Sequence, residues 1–150
     1  MDYKEIISQL PYSKPFLFVD ELEEVTEKGV KGSFTFRKDL DFYQGHFREE
    51  PVTPGVILIE CCAQIGLVCL GIHLTEKTSE KSTSARSVAM SRSEMEFYLP
   101  VLPGEKVRVQ SEMIYYRFKK LKCAVKMYNR KKEMVCKGVL EGMLISNDGA

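Results

Sequence analysis

A chain of 150 residues, 44% hydrophobic and 29% charged, has the make-up of one ordinary globular domain spanning 1–150. A formal net charge of +1 gives no global pull toward nucleic acid or a membrane surface. The five cysteines form no Cys-x-x-Cys pair and three lie in one apolar helix, which argues against a disulfide framework or zinc site, and with His46 and His73 the only histidines a haem or zinc site also lacks ligands. Met1-Asp2-Tyr3-Lys4-Glu5 lacks the basic start and apolar run of a signal peptide, and reduced thiols in a cytoplasm fit this pattern.

The first element is a short amphipathic segment, Tyr3 to Leu10, with Ile6, Ile7 and Leu10 on one side. Pro11 ends it, because proline lacks the amide that a helix interior needs. Phe16-Leu17-Phe18-Val19 reads as a strand-like run. Asp20 to Phe36 alternates through Val25, Val30, Phe34 and Phe36 and turns at Lys28-Gly29, which predicts a hairpin. Asp39 to Thr53 is a loop carrying Gly45, His46 and Pro51.

Pro54 to His73 is the one long helix, opened by proline and studded with small residues that let neighbouring backbone come close. It is apolar nearly all round, which predicts burial on most sides. Val56 to Leu74 has about the minimum length of a membrane span, but Glu60, Gln64 and His73 interrupt it, and an intramembrane Glu is costly. A core helix is the better reading, with His73 at its surface end. Thr75 to Arg86 is dense in Thr, Ser, Glu and Lys, and its 79–86 stretch reads as a mobile polar loop.

The last third is strands: Val88 to Leu99, Lys106 to Phe118, Leu121 to Tyr128 and Met134 to Ile145. Val107, Val109, Ser111 and Met113 show the two-residue period of a half-buried strand. Pro100-Val101-Leu102-Pro103-Gly104 and Asn129-Arg130-Lys131-Lys132 are turns. One buried helix between an early hairpin and a late antiparallel meander is satisfied by a curled sheet wrapped around that helix.

Gly45 to Gln64 carries the chemistry. His46 stands fourteen positions before Glu60, and Glu60 lies inside a helix that begins Pro54-Gly55. A carboxylate among apolar residues is costly unless it is paired or used. Histidine titrates near neutrality and suits a general base. A buried glutamate suits a general acid, because burial favours its protonated form. The Gly55 amide, at the positive end of the helix dipole, can stabilise a developing oxyanion. Gln64, one turn after Glu60, can orient that carboxylate or pack against backbone. The cysteines read as small core residues rather than nucleophiles.

Arg117, Lys119, Lys120 and Lys122 form a local basic run, with Arg130, Lys131 and Lys132 at the next turn. A charged hairpin edge accounts for it. A landing patch for an acidic carrier protein is the functional alternative. Nucleic acid is a poor third reading, since no recognised binding motif accompanies the run.

Three blocks, Leu10 to Asp20, Gly45 to Gln64 and Phe97 to Glu105, resemble in order and spacing the 3-hydroxyacyl-acyl-carrier-protein dehydratases of the FabZ type. The Gly-His-Phe…Pro-Gly-Val…Glu…Ala-Gln block is the specific one. The resemblance implies an α+β hot-dog fold, an antiparallel sheet around one long helix. It implies a homodimer or trimer of dimers, a site at the subunit interface with His46 from one protomer and Glu60 from the other, and a thioester held at Gly55 and Val56. It implies an acyl carrier protein as partner and dehydration of a 3-hydroxyacyl thioester to the trans-2-enoyl thioester, in fatty-acid or polyene/polyketide-type biosynthesis. No metal or organic cofactor is required. Departures are Arg48-Glu49 where Pro-Gly is common, Thr53 where Met or a similar apolar residue is usual, Tyr12 for a His, and Cys61-Cys62 for an Ala and apolar pair. A hot-dog thioesterase and a non-catalytic partner subunit of another hot-dog protein are the competing readings.

Overall fold

The structure is a computed structural model that describes residues 3–76 and 85–146. Most of the polar loop, including 79–84, lies outside the described residues, while Ala85 and Arg86 already belong to the next strand. Six antiparallel strands form one sheet: β1 (Glu21–Thr26), β2 (Gly29–Thr35), β3 (Ala85–Phe97), β4 (Lys106–Arg117), β5 (Lys120–Tyr128) and β6 (Met134–Ser146). Their order is β1-β2-β4-β5-β6-β3. The hairpin and the late strands therefore stand where the alternation places them. β3 joins the far side of β6, so this 13-residue strand is an edge with one side unpaired.

The sheet curls around the central helix, Gly55–Glu76. This is the expected hot-dog arrangement, with the helix starting one residue later than the sequence indicated and running three residues further, to Glu76. Its middle, Ala63–Val68, widens to a π-helical turn between two α-helical halves. By length and composition the helix could cross a bilayer, but most of it is buried inside the sheet. Ile65, Leu67 and Leu70 of the helix and Leu121, Met127 and Leu140 of the sheet belong to one core, all essentially without exposure. Small residues allow this closeness. A Cβ on Gly66 would lie 2.9 Å from the Ser111 Cβ on β4, so only hydrogen fits there.

Two sequence expectations are corrected. Phe16-Leu17-Phe18-Val19 is not a strand. Its backbone is held by a side chain instead: the Phe18 amide donates to Gln64 Oε1 at 2.8 Å, and Gln64 Nε2 donates to the Phe16 carbonyl at 2.9 Å. Phe18 then continues the edge-to-face stack with Phe34 and Phe36, at centroid distances of 5.5 and 4.8 Å along the stack. The apolar run was real, and Phe18 and Val19 enter the core, but the run does not join the ladder. His73 is also buried, not at the surface. The helix runs on to Glu76, and the N-terminal helix (Lys4–Ser8) and β1 pack against its last turns.

Candidate active site

The loop from Asp39 to Thr53 contains a 3-10 turn, Asp41–Gln44, and then doubles back on itself. The His46 amide donates to the Phe42 carbonyl at 3.0 Å, and the Val52 amide donates to the His46 carbonyl at 2.9 Å. The imidazole closes the same loop, because His46 Nδ1 lies 2.9 Å from the Val52 carbonyl. A carbonyl only accepts, so the proton sits on Nδ1 and the lone pair of the neutral ring is on Nε2. His46 is partly buried, with the exposed Phe47 ring stacked on it at 3.9 Å. The Thr53 amide donates to the Val101 carbonyl at 2.9 Å, which ties the loop to the Pro100–Gly104 turn.

Pro54, in an extended conformation, then starts the central helix. Among the described residues, neither the Gly55 nor the Val56 amide has a hydrogen-bond acceptor. These are the donors every helix start leaves over. The Phe97 ring of β3 lies against Gly55, 3.5 Å from where a Cβ would stand. Val56 is 72% exposed, an apolar side chain at a helix start with no cover in the protomer.

Glu60 lies five residues into the helix, about 7.5 Å along its axis from Gly55. It is half-buried, and burial raises its carboxyl above the usual carboxylate range. The hydrogen bond from Gln64 opposes that shift: Gln64 Nε2 donates to Glu60 Oε2 at 3.0 Å. Gln64 has no exposure and combines both roles its position suggested, contacting the carboxylate and satisfying backbone. Tyr12 is also partly buried here. Burial and then the Glu60 charge push its phenol up to about 12, so it stays protonated. Sequence reasoning noted Tyr12 only as a departure and gave Phe97 no role, although both lie in the blocks that carry the resemblance.

Among the described residues no hydrogen bond or ion pair joins His46 to Glu60. No three His, Cys, Asp or Glu side chains gather there as a metal-binding group either. All five cysteines are buried, and burial holds the Cys61 and Cys69 thiols protonated.

The basic run forms the β4–β5 hairpin. Phe118 and Lys119 make its tip with positive φ of 51° and 62°, and Phe118 is 93% exposed. Arg117 lies over the Tyr115 ring at 4.5 Å and Lys122 at 5.7 Å, while the Tyr115 hydroxyl donates to Glu141. The hairpin sits by the C-terminal half of the helix, where Leu121 and Val88 face Gly71. Gly71 lies 16 residues along the helix from Gly55, about 24 Å of helix. The run is thus remote from the helix start of its own protomer.

The family model of the FabA-like domain matches residues 10–138, which take in the His46 loop, the helix start and five of the six strands. The chain belongs to the FabA-like family. It is 34% identical over 119 residues to the 3-hydroxyacyl-[acyl-carrier-protein] dehydratase FabZ of Anaplasma marginale (strain Florida), covering 78% of this chain and 79% of that one. It is 36% identical over 117 residues to the enzyme of the same name from Clostridium perfringens (strain SM101 / Type A), covering 78% and 80%. In structure it is similar to the dehydratase heterocomplex ApeI:P from Xenorhabdus doucetiae, with a TM-score of 0.76 at 15% identity over 95% of this chain and 92% of that one. A hypothetical thioesterase with coenzyme A from Streptococcus pneumoniae TIGR4 gives 0.62 at 13% identity, over 84% and 88%. At such identities these two structures speak for the fold that FabA-like proteins share with thioesterases.

Proposed function

We propose that this FabA-like protein removes water from a 3-hydroxyacyl thioester carried on an acyl carrier protein, giving the trans-2-enoyl thioester. The observation that carries the reading is a half-buried carboxyl held above its usual pKa, inside a helix whose first two amides are free. His46 Nε2 takes the proton from C2. Charge grows on the thioester oxygen, where the Gly55 and Val56 amides donate to it. Glu60 gives its proton to the C3 hydroxyl, which leaves as water while the C2–C3 double bond forms. Proton exchange with solvent returns His46 to neutral and Glu60 to its acid. Gln64 holds the carboxyl in place. No cofactor enters these steps. A thioesterase would need a carboxylate to activate water, and the relatives named as FabZ dehydratases favour dehydration.

The site is completed by a second copy of the chain. Three features support a homodimer: the unpaired 13-residue edge of β3, the uncovered Val56, and, among the described residues, the absence of a hydrogen bond or ion pair between His46 and Glu60 within one protomer. Antiparallel pairing of two β3 edges exchanges the ends of the sheet. Arg117, Lys119, Lys120 and Lys122 serve as a landing surface for the acidic carrier. Buried reduced thiols suit a cytoplasmic setting.

The test uses His46→Ala and Glu60→Ala chains, each inactive alone on a 3-hydroxyacyl thioester. Mixed under subunit exchange, they regain activity, because each heterodimer rebuilds one intact site. Proven exchange without recovery refutes the shared site. Release of free thiol instead of enoyl product by the unaltered protein refutes dehydration.

A further inference from the structure

The His46 loop is closed at its base by two hydroxyls that play no part in the proton transfers above. Tyr43 leaves the 3-10 turn three residues before His46, and Thr53 stands two residues before Gly55. Both are buried, at 6% and 4% exposure. The Tyr43 hydroxyl and Thr53 Oγ1 are 2.5 Å apart. Buried hydroxyls need partners, and these two supply one another.

This bond bridges the two arms of the loop that carries His46. Thr53 follows Val52, whose carbonyl accepts from His46 Nδ1 and so fixes which ring nitrogen is basic. The Thr53 amide is itself tied to the Val101 carbonyl. Tyr43 follows Phe42, whose carbonyl accepts from the His46 amide, and packs its ring on Phe42 at 4.6 Å. Each residue that grips His46 is thus adjacent in sequence to one end of the hydroxyl pair.

We propose that Tyr43 and Thr53 are positioning residues: their hydroxyl–hydroxyl bond fixes the Val52 carbonyl, and through it the orientation and tautomer of His46 relative to the Gly55 amide. They touch no reacting atom. The inference rests on the reading of His46 as the base. A small displacement of a base costs turnover rather than ground-state binding, because only the transition state requires the aligned lone pair.

The test is a cycle in the full-length protein: Thr53→Val, Tyr43→Phe, the double variant Tyr43→Phe/Thr53→Val, and Thr53→Ser. Thr53→Val strands the Tyr43 hydroxyl. It should lower both the melting temperature and kcat, the latter by about 10-fold or more, with KM changed by less than about 2-fold. Thr53→Ser keeps the hydroxyl and should recover kcat. The double variant strands nothing, so its melting temperature should return toward wild type while kcat stays low. Hydrogen exchange at the His46 and Val52 amides should be faster than wild type in the double variant, with the sheet amides unchanged. A double variant that regains kcat together with stability overturns the proposal, since the pair would then be structural only. Unchanged exchange at both loop amides overturns it as well. That exchange arm decides the case even if wild type dehydrates no 3-hydroxyacyl thioester, an outcome that would instead sink the functional reading.

Discussion

Gln64→Met is the most informative single change at the carboxylate. Methionine nearly matches the side-chain volume, so the variant isolates polar loss from cavity formation. Three hydrogen bonds disappear: from the Phe18 amide to Gln64 Oε1, and from Gln64 Nε2 to the Phe16 carbonyl and to Glu60 Oε2. Phe18 is buried at 1% exposure, so its amide is stranded and the loss costs about 1–3 kcal/mol. The bond to Glu60 is half-exposed and counts for about 1 kcal/mol. Phe16 is 47% exposed, and its carbonyl can turn to water at small cost. The total is about 2–4 kcal/mol, or about 4–16 °C in melting temperature for a chain of this size.

The same change acts on chemistry. The Gln64 bond is the influence that lowers the Glu60 pKa against burial, so its removal should raise that pKa further. The alkaline limb of kcat/KM, set by ionisation of the Glu60 acid, should then move to higher pH. The assays are thermal unfolding at fixed protein concentration and a pH profile on a soluble 3-hydroxyacyl thioester. A loss below about 1 kcal/mol, or an alkaline limb that stays or moves down, would refute the assignment of Gln64 as the partner that holds Glu60.

Further predictions concern titration, packing and docking. The folded-state pKa of Glu60 is raised, so the stability it contributes is full below the unfolded value and is lost as pH rises through the folded one. Glu60→Gln should therefore gain on wild type in melting temperature as pH rises above the unfolded carboxyl value of about 4.3, and a gap that stays flat or narrows contradicts the buried-acid account. Gly66→Val places atoms inside contact distance of Ser111, whose Oγ accepts from the Val30 amide at 3.1 Å and so cannot swing away. Denaturant titration should show a loss of about 1–3 kcal/mol or more, and wild-type stability would mean the helix can move off β4. Replacing Lys119, Lys120 and Lys122 with Ser should raise KM for carrier-bound substrate and flatten its salt dependence, given a Debye length of about 8–10 Å. A coenzyme A or pantetheine substrate should be little affected, and equal handling of carrier-bound substrate by variant and wild type returns the hairpin to a solvated edge.

Local pattern was sufficient where neighbours in sequence decide the outcome. The two-residue alternation of Val107, Val109 and Ser111 specified β4, and the proline start with an apolar, small-residue run specified the central helix. His46 and Glu60 stood out because a base type and a lone carboxylate in apolar surroundings are informative before any contact is known. Tertiary structure decided whatever depends on groups far apart in the chain. Phe16 to Val19 has strand composition, but Gln64, 46 residues beyond Phe18, takes up its backbone groups, and no ladder partner remains for it. His73 looked like a helix-end surface residue until α–β packing placed it inside. The strand order, with β3 beyond β6, set which edge is free, and no local pattern encodes that choice. The Tyr43–Thr53 bond was invisible for the same reason. Each residue alone is unremarkable, and only the return of the loop at Val52 brings the two hydroxyls within reach of one another.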